Sequence, residues 1–445
     1  MRFFPPRSPV LAAFSLVFAL TLLAFPAQGQ KTGFNAALPL THVDNGPNSA
    51  WAEKQHYLVL VSLDGFRWDY AKRDNATHLL AIGKAGVWAP EGMMPTYPSL
   101  AFPNQYTLVT GLYPEHHGIV ADSFLDPARG ARYSISDSQA VSDGSWYGGV
   151  PLWSLAESQG MRTACLLWVG CDARIAGFRP SHYTTSDART QATPQAEQAR
   201  IDDTLALLHQ PAADRPHFIA IGFSSPGREG REFGPDARET REAALRMDAL
   251  VGKLRDALRA TGLPIDLVVV SDQGLVKSEG GWIDLDQFAD LTGFDTVGNL
   301  LYGKTEEDRA RVYNQLKHAT SQFMVFRRKD VPAGLNYNQN PREGDPVVVA
   351  TGPYAIRAHA PPAKETVRPP AIGIDGFDPH ILPEMKASFF AVGPDLRAGK
   401  TVAPFDNVNL YPWMAHLLGL TPPRNDGSLN ILSGTLRDDG AAQEK

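Results

Sequence analysis

The sequence predicts an α/β fold built on a mostly parallel sheet with helices on both faces, plus a smaller cap. Three observations carry that expectation. Short, nearly continuous apolar runs recur along the chain, each ended by a turn signal. Helical stretches with one apolar stripe lie between them. The runs lack the apolar–polar alternation of a sheet with one wet face, so they suit strands buried on both sides. Strands alternating with helices indicate parallel pairing.

The first thirty residues stand apart. Arg2 and Arg7 precede the apolar segment Val10 to Phe25, and Ala27-Gln28-Gly29 follows as a small-x-small site. Residues 1–29 therefore read as a cleavable secretory signal, and an uncleaved anchor is the alternative. Removing two arginines takes the formal charge from −6 (42 basic against 48 acidic) to −8 (40 against 48). An acidic, exported chain, periplasmic or secreted, with no long basic run and no later apolar span excludes nucleic-acid binding as the main role. Residues 30–55 read as a polar arm.

The expected strands then come in order: Tyr57 to Leu63 before Asp64-Gly65, Thr163 to Val169 before Gly170, His217 to Phe223 before Ser224, Ile265 to Val270 before Ser271-Asp272, and Ala387 to Val392 before Gly393. Cys165 and Cys171, the two cysteines of the chain, lie six residues apart on an extended run. That spacing places them too far apart for a bridge unless the chain turns sharply after Gly170. Between Asp236 and Ala260 the apolar residues recur every three or four positions, ending before Gly262. A second such stretch runs from Val408 to Leu418. The main domain is expected over 56–435, with a cap or insertion at 276–370 and a polar tail at 436–445. Asp64 and Asp272 each follow a buried strand, where a carboxylate is held firmly and left free to bind a cation. An Asp before Gly is also an ordinary turn.

One segment is far more specific. Met94 to Ile119 reads MPTYPSLAFPNQYTLVTGLYPEHHGI, and it closely resembles the nucleotide pyrophosphatase/phosphodiesterase family of the alkaline phosphatase superfamily. The resemblance extends from Leu60 to Ser428. It includes Leu63-Asp64-Gly65-Phe66-Arg67, Phe178-Arg179-Pro180, Gly230 to Pro235, Ser271-Asp272-Gln273-Gly274, Asp375-Gly376-Phe377-Asp378 and Pro383-Glu384-Met385. It implies an alkaline-phosphatase-like sandwich. It also implies a two-zinc mechanism in which a threonine at a helix start attacks phosphorus.

Carried over position by position, the resemblance implies a stripped site. The nucleophile position is Ala101. On the nucleophile-activating zinc, Asp64 and Asp272 are retained, and the histidine position is Gln273. On the second zinc the positions are Gly227, Arg231 and Asp375. The asparagine that donates to the phosphate is Asp122. Phe102 keeps an aromatic that stacks on a nucleobase in the family. The expectation is therefore loss of most or all phosphoester hydrolysis, with no catalytic residue assigned. The chain would bind a nucleotide-like ligand or a protein partner. The alternative is an active phosphodiesterase with a remodelled metal site. Zinc is implied by the family only. Asp64, Asp272 and Asp375, with Asp122, are candidates for another divalent cation, and Phe102 and Asp122 for substrate contact. Ser99 is a candidate replacement nucleophile. The favoured reading is that Arg231 pairs with one of these carboxylates and replaces the metal charge with an internal salt bridge. His116 and His117 read as structural, and Glu229 and Glu232 as solvated.

Overall fold

A computed structural model describes residues 40–185, 193–361 and 369–437. The leader at 1–29, the start of the arm and the tail beyond Arg437 lie outside the described residues. At the centre is a nine-stranded sheet. Tyr57–Leu63 lies between Phe218–Phe223 and Ile265–Val270, parallel to both, with Val61 opposite Ile221 and Val269. Thr163–Leu166 extends the parallel set beyond Phe218–Phe223. His182–Tyr183 follows it, and Thr41–His42 forms the antiparallel edge.

The continuous apolar runs are explained by packing on both faces. Leu58, Leu60, Ala220, Val268 and Val270 point into one cluster with Tyr106, Trp153 and Trp413 from three helices. Val59, Val61, Ile219, Ile221 and Val269 point into a second cluster. There Met247, Val251 and Leu254 of the helix Arg238–Ala260 cover the sheet. Successive residues of one strand serve opposite faces, so both faces are mostly apolar.

Two expected strands differ from the sequence reading. The run at Ala387 to Val392 forms Phe389–Val392 and pairs antiparallel with Ile265–Val270. An apolar run carries no information about direction. The run at Thr163 ends at Leu166, and Leu167 takes a left-handed φ of 62°. That turn brings Cys165 and Cys171 to a Cα separation of 5.9 Å, and they are bridged. The extended path assumed from the spacing is therefore corrected.

Residues 283–358 gather an apolar cluster of their own around Leu285, Leu301, Val312, Leu316 and Val348. This segment leaves the sheet through Val276–Lys277 and returns through Gly373–Ile374, which pair antiparallel. That two-stranded stem fixes the place of Asp375. Among the described residues no helix is long and apolar enough to cross a membrane.

Candidate functional site

Parallel pairing puts the ends of the three central strands at one edge of the sheet, where ligands of such folds bind. Asp64 follows the middle strand, Ser271 and Asp272 follow one neighbour, and the loop Ser224–Pro226 follows the other. Gly227–Phe233 is a short helix that starts from that loop. Its first residue packs directly on Asp64, donating its N–H to the Asp64 carbonyl at 2.7 Å. Arg231, one turn further, points the same way.

Arg231 holds the centre. Its Nη1 and Nη2 donate to both Asp64 carboxylate oxygens at 2.8 and 3.1 Å. Nη2 also donates to Asp375 at 2.6 Å. Gln273 Nε2 donates to the same two carboxylates at 3.0 and 3.2 Å. Asp375 reaches this point because Ile372 donates its backbone N–H to the Arg231 carbonyl. Gly373 also lies so close to Gly230 that a Cβ there would stand 2.2 Å from a carbonyl oxygen. The guanidinium is held well toward its charged form by Asp64 and Asp375, against the burial that opposes it.

Asp272 is fully buried. It accepts from Gly65 N at 3.2 Å, Gln273 N at 3.0 Å and Gln105 Nε2 at 3.0 Å. Burial, and then the Asp64 charge, push its carboxyl up. Asp122 is raised to about 7, first by burial and then by Asp375. Its Oδ1 is sealed from solvent with no partner. The Phe102 N–H, in the first turn of the helix Ala101–Thr110, favours the carboxylate form and offsets the rise in part. Asp122 thus lies at the helix start where an anion is favoured.

The structure brings Asp64, Asp375, Gln273 and Arg231 together as one hydrogen-bonded group, with Asp272 linked through Gln273 and Asp122 within its field. Ala101 opens the helix Ala101–Thr110 and ends in a methyl group. Phe102 beside it is partly buried against the main core. Ser99 does not replace the missing hydroxyl: it is fully buried and donates to the Phe377 carbonyl at 2.5 Å. His117 is buried between Thr107 and the Ile119 N–H, and burial pulls it down to about 3. Glu229 is not solvated. It is buried and paired with Arg228 and Arg246 at 2.6 and 3.3 Å, while Glu232 is exposed.

Gln105 was not singled out by sequence. It lies four residues after Ala101, one helical turn along the same face, so a residue facing Asp272 was readable from the spacing. An aromatic-walled cavity of about 230 Å³ adjoins Asp375, with Tyr97, Trp282, Tyr337 and Phe377 among its walls.

A sequence model of type I phosphodiesterase / nucleotide pyrophosphatase matches residues 58–385. The chain belongs to this family. It is 30% identical over 402 residues to ectonucleotide pyrophosphatase/phosphodiesterase family member 7 of Homo sapiens, covering 87% of this chain and 85% of that one. It is 29% identical over 393 residues to an uncharacterized pyrophosphatase/phosphodiesterase of Schizosaccharomyces pombe, covering 84% and 79%. Among solved structures, murine ectonucleotide pyrophosphatase/phosphodiesterase 5 superimposes with a TM-score of 0.77 at 26% identity, covering 86% of this chain and all of that chain. That structure is of an inactive threonine-to-alanine variant in complex with AMP. The fold is the alkaline-phosphatase-like sandwich of this family.

The two-zinc centre implied by the family does not fit the residues present. A guanidinium sits between the two carboxylates that would face the metals, and it is a fixed cation with no lone pair to give. Gln273 turns its amide nitrogen to the carboxylates, and a neutral amide is a poor zinc ligand. At Gly227 even a Cβ would stand 2.6 Å from the Asp64 carboxyl carbon.

Proposed function

We propose that this chain is an exported family member that has lost phosphoester hydrolysis and works by binding a nucleotide-like ligand or a protein partner. One observation carries the reading: Arg231 spans Asp64 and Asp375 in a cleft whose nucleophile position is Ala101. The cation and its counter-charges come from the chain itself. The ligand would meet Phe102 and Asp122 at the helix start, with room for its body beside Asp375. The Cys165–Cys171 bridge and the leader-like first 29 residues support export to an oxidising compartment.

The test is direct. A p-nitrophenyl ester of a nucleoside monophosphate is supplied with zinc, manganese, magnesium or calcium in turn. The expected result is no turnover above buffer with any of them. AMP binding, measured by calorimetry, is expected to weaken by roughly tenfold in Phe102→Ala, the loss of one stacking contact. The competing reading holds that Asp64, Asp272 and Asp375 bind a dication after Arg231 swings out. Metal-dependent turnover that disappears in Asp64→Asn would establish that reading and overturn ours.

A further inference from the structure

The edge of the sheet opposite the cleft carries a second cavity, of about 430 Å³. It is bounded by the last turns of the helix Arg238–Ala260 and the first residue of the strand Ile265–Val270. Asp272 lies just beyond the other end of that strand. Six residues at roughly 3.3 Å each separate the two cavities by about 20 Å.

The chemistry of this cavity is simple. Leu258, Leu263 and Val392 give it an apolar floor, and Arg255, Arg259 and Arg437 stand around it, with no carboxylate in its lining. Among the described residues neither Arg255 nor Arg259 has an ion-pair partner, while Arg437 donates from Nε to the Leu396 carbonyl at 3.0 Å. Among the described residues Asp256, exposed on the same helix, forms no ion pair with Arg255 or Arg259, and two further acids are engaged elsewhere. Asp395 is occupied by His56 at 2.8 Å. Asp266 is buried, and its Oδ2 has no partner. Burial and the neighbouring Asp395 push Asp266 up, toward its neutral form. The helix end contributes about half a negative charge, which three guanidinium groups exceed. The result is a cationic mouth on a chain whose formal charge is −6.

We propose that this cavity binds an organic anion with a phosphate or carboxylate head and an apolar body. Guanidinium groups present planar pairs of N–H donors that match both head groups. The leucine and valine floor takes the body, and the volume lies in the range of ordinary small-molecule sites. Such a compound reaches the chain either free in solution or as a lipid in an anionic membrane.

Octyl phosphate, inorganic phosphate and 1-octanol, titrated into the full chain by calorimetry, test the proposal. Octyl phosphate is expected to bind at least roughly tenfold more tightly than either half alone. The double variant Arg255→Gln, Arg259→Gln is expected to lose roughly tenfold or more in affinity. Lys253→Gln removes an exposed charge outside the cavity on the same helix and is expected to bind like the parent chain. Circular dichroism confirms that each variant is folded. Sedimentation with phosphatidylglycerol vesicles, but not phosphatidylcholine vesicles, and its loss in the double variant would assign the membrane as the source. Octyl phosphate binding without sedimentation would assign a free amphiphile. Equal affinity in the parent and the double variant overturns the proposal, as does the absence of both saturable heat at millimolar octyl phosphate and vesicle binding.

Discussion

The two halves of the cleft differ in how far they match the pattern the family implies. One half is the frame that aims the helix Ala101–Thr110. There Asn104 is fully buried and knits the preceding turn together. Its Oδ1 accepts from Thr96 N at 2.8 Å and from Asn407 Nδ2 at 2.8 Å. Its Nδ2 donates to the carbonyls of Thr96, Pro98 and Leu100. The other half is the reactive shell, where Ala101, Gly227, Arg231 and Gln273 replace the groups implied by the family. The frame keeps the side chains the fold needs, and the shell holds an internal ion cluster of Arg231, Asp64 and Asp375 where the family implies metal. Holding a helix start in place and using it for catalysis are therefore separable demands on the same ten residues.

The sharpest way to break that comparison is Arg231→Met. If the shell has become structural, Asp64 and Asp375 lose their counter-charge. Unfolding in urea should then show a loss of about 2–4 kcal/mol, below the figure for a sealed pair because Arg231 is 31% exposed. A loss under about 0.5 kcal/mol would place the cluster with ordinary surface ion pairs. Adding Asp64→Asn and Asp375→Asn to Arg231→Met should recover most of the loss.

Asn104→Ala probes the frame. It leaves the buried Thr96 N–H and the Asn407 amide without an acceptor, at a cost of about 2 kcal/mol in the same assay. A neutral result would mean the frame is held by packing alone.

Asp122 comes next. Its carboxyl is raised from 3.8 to about 7, so between those values the folded chain holds a proton that the unfolded chain has lost. Stability from this group is present at low pH and is lost as pH rises toward 7, by up to about 1.4 kcal/mol per unit. Asp122→Asn should flatten that slope in urea unfolding measured from pH 4 to pH 7; an unchanged slope would remove Asp122 as its source. The ionised form also faces any bound phosphate, so AMP should bind more weakly above pH 7 than below it. That difference should vanish in Asp122→Asn.

The smallest effect is expected from Ala101→Thr. A hydroxyl restored among unaltered neighbours has no metal to acidify it, so p-nitrophenyl ester turnover with zinc should stay at background. A rise of several orders of magnitude would show a working metal shell.

Much of the frame was readable in the sequence because its residues are contiguous. The run from Met94 to Ile119 holds the turn, the helix and its aim in one segment. The strand ends at Leu63 and Val270 were readable because Asp64 and Ser271-Asp272 break the apolar runs. That Arg231 would pair with one of the carboxylates followed from charge, since excess buried carboxylates demand a cation; that it spans both Asp64 and Asp375 did not. What escaped was set by long-range geometry. The antiparallel course of Phe389–Val392 depends on its partner strand, not its own residues. Glu229 lies in a polar stretch and reads as solvated until Arg246, from another helix, is seen to cover it. The cysteine bridge depended on two positive-φ residues, Gly170 and Leu167; the turn at the glycine was readable, and the identity of Leu167 gives no hint of its conformation.

Gly227 limits the ways back. Its Cα sits so close to Asp64 that an added Cβ would stand 2.6–2.7 Å from the carboxyl group. A ligand side chain cannot be reinstated there while Arg231 pins Asp64 in place. Removing Arg231 first would strand two anions. Building a metal ligand at Gly227 would therefore pass through chains less stable than the present one, whichever of the two positions changed first.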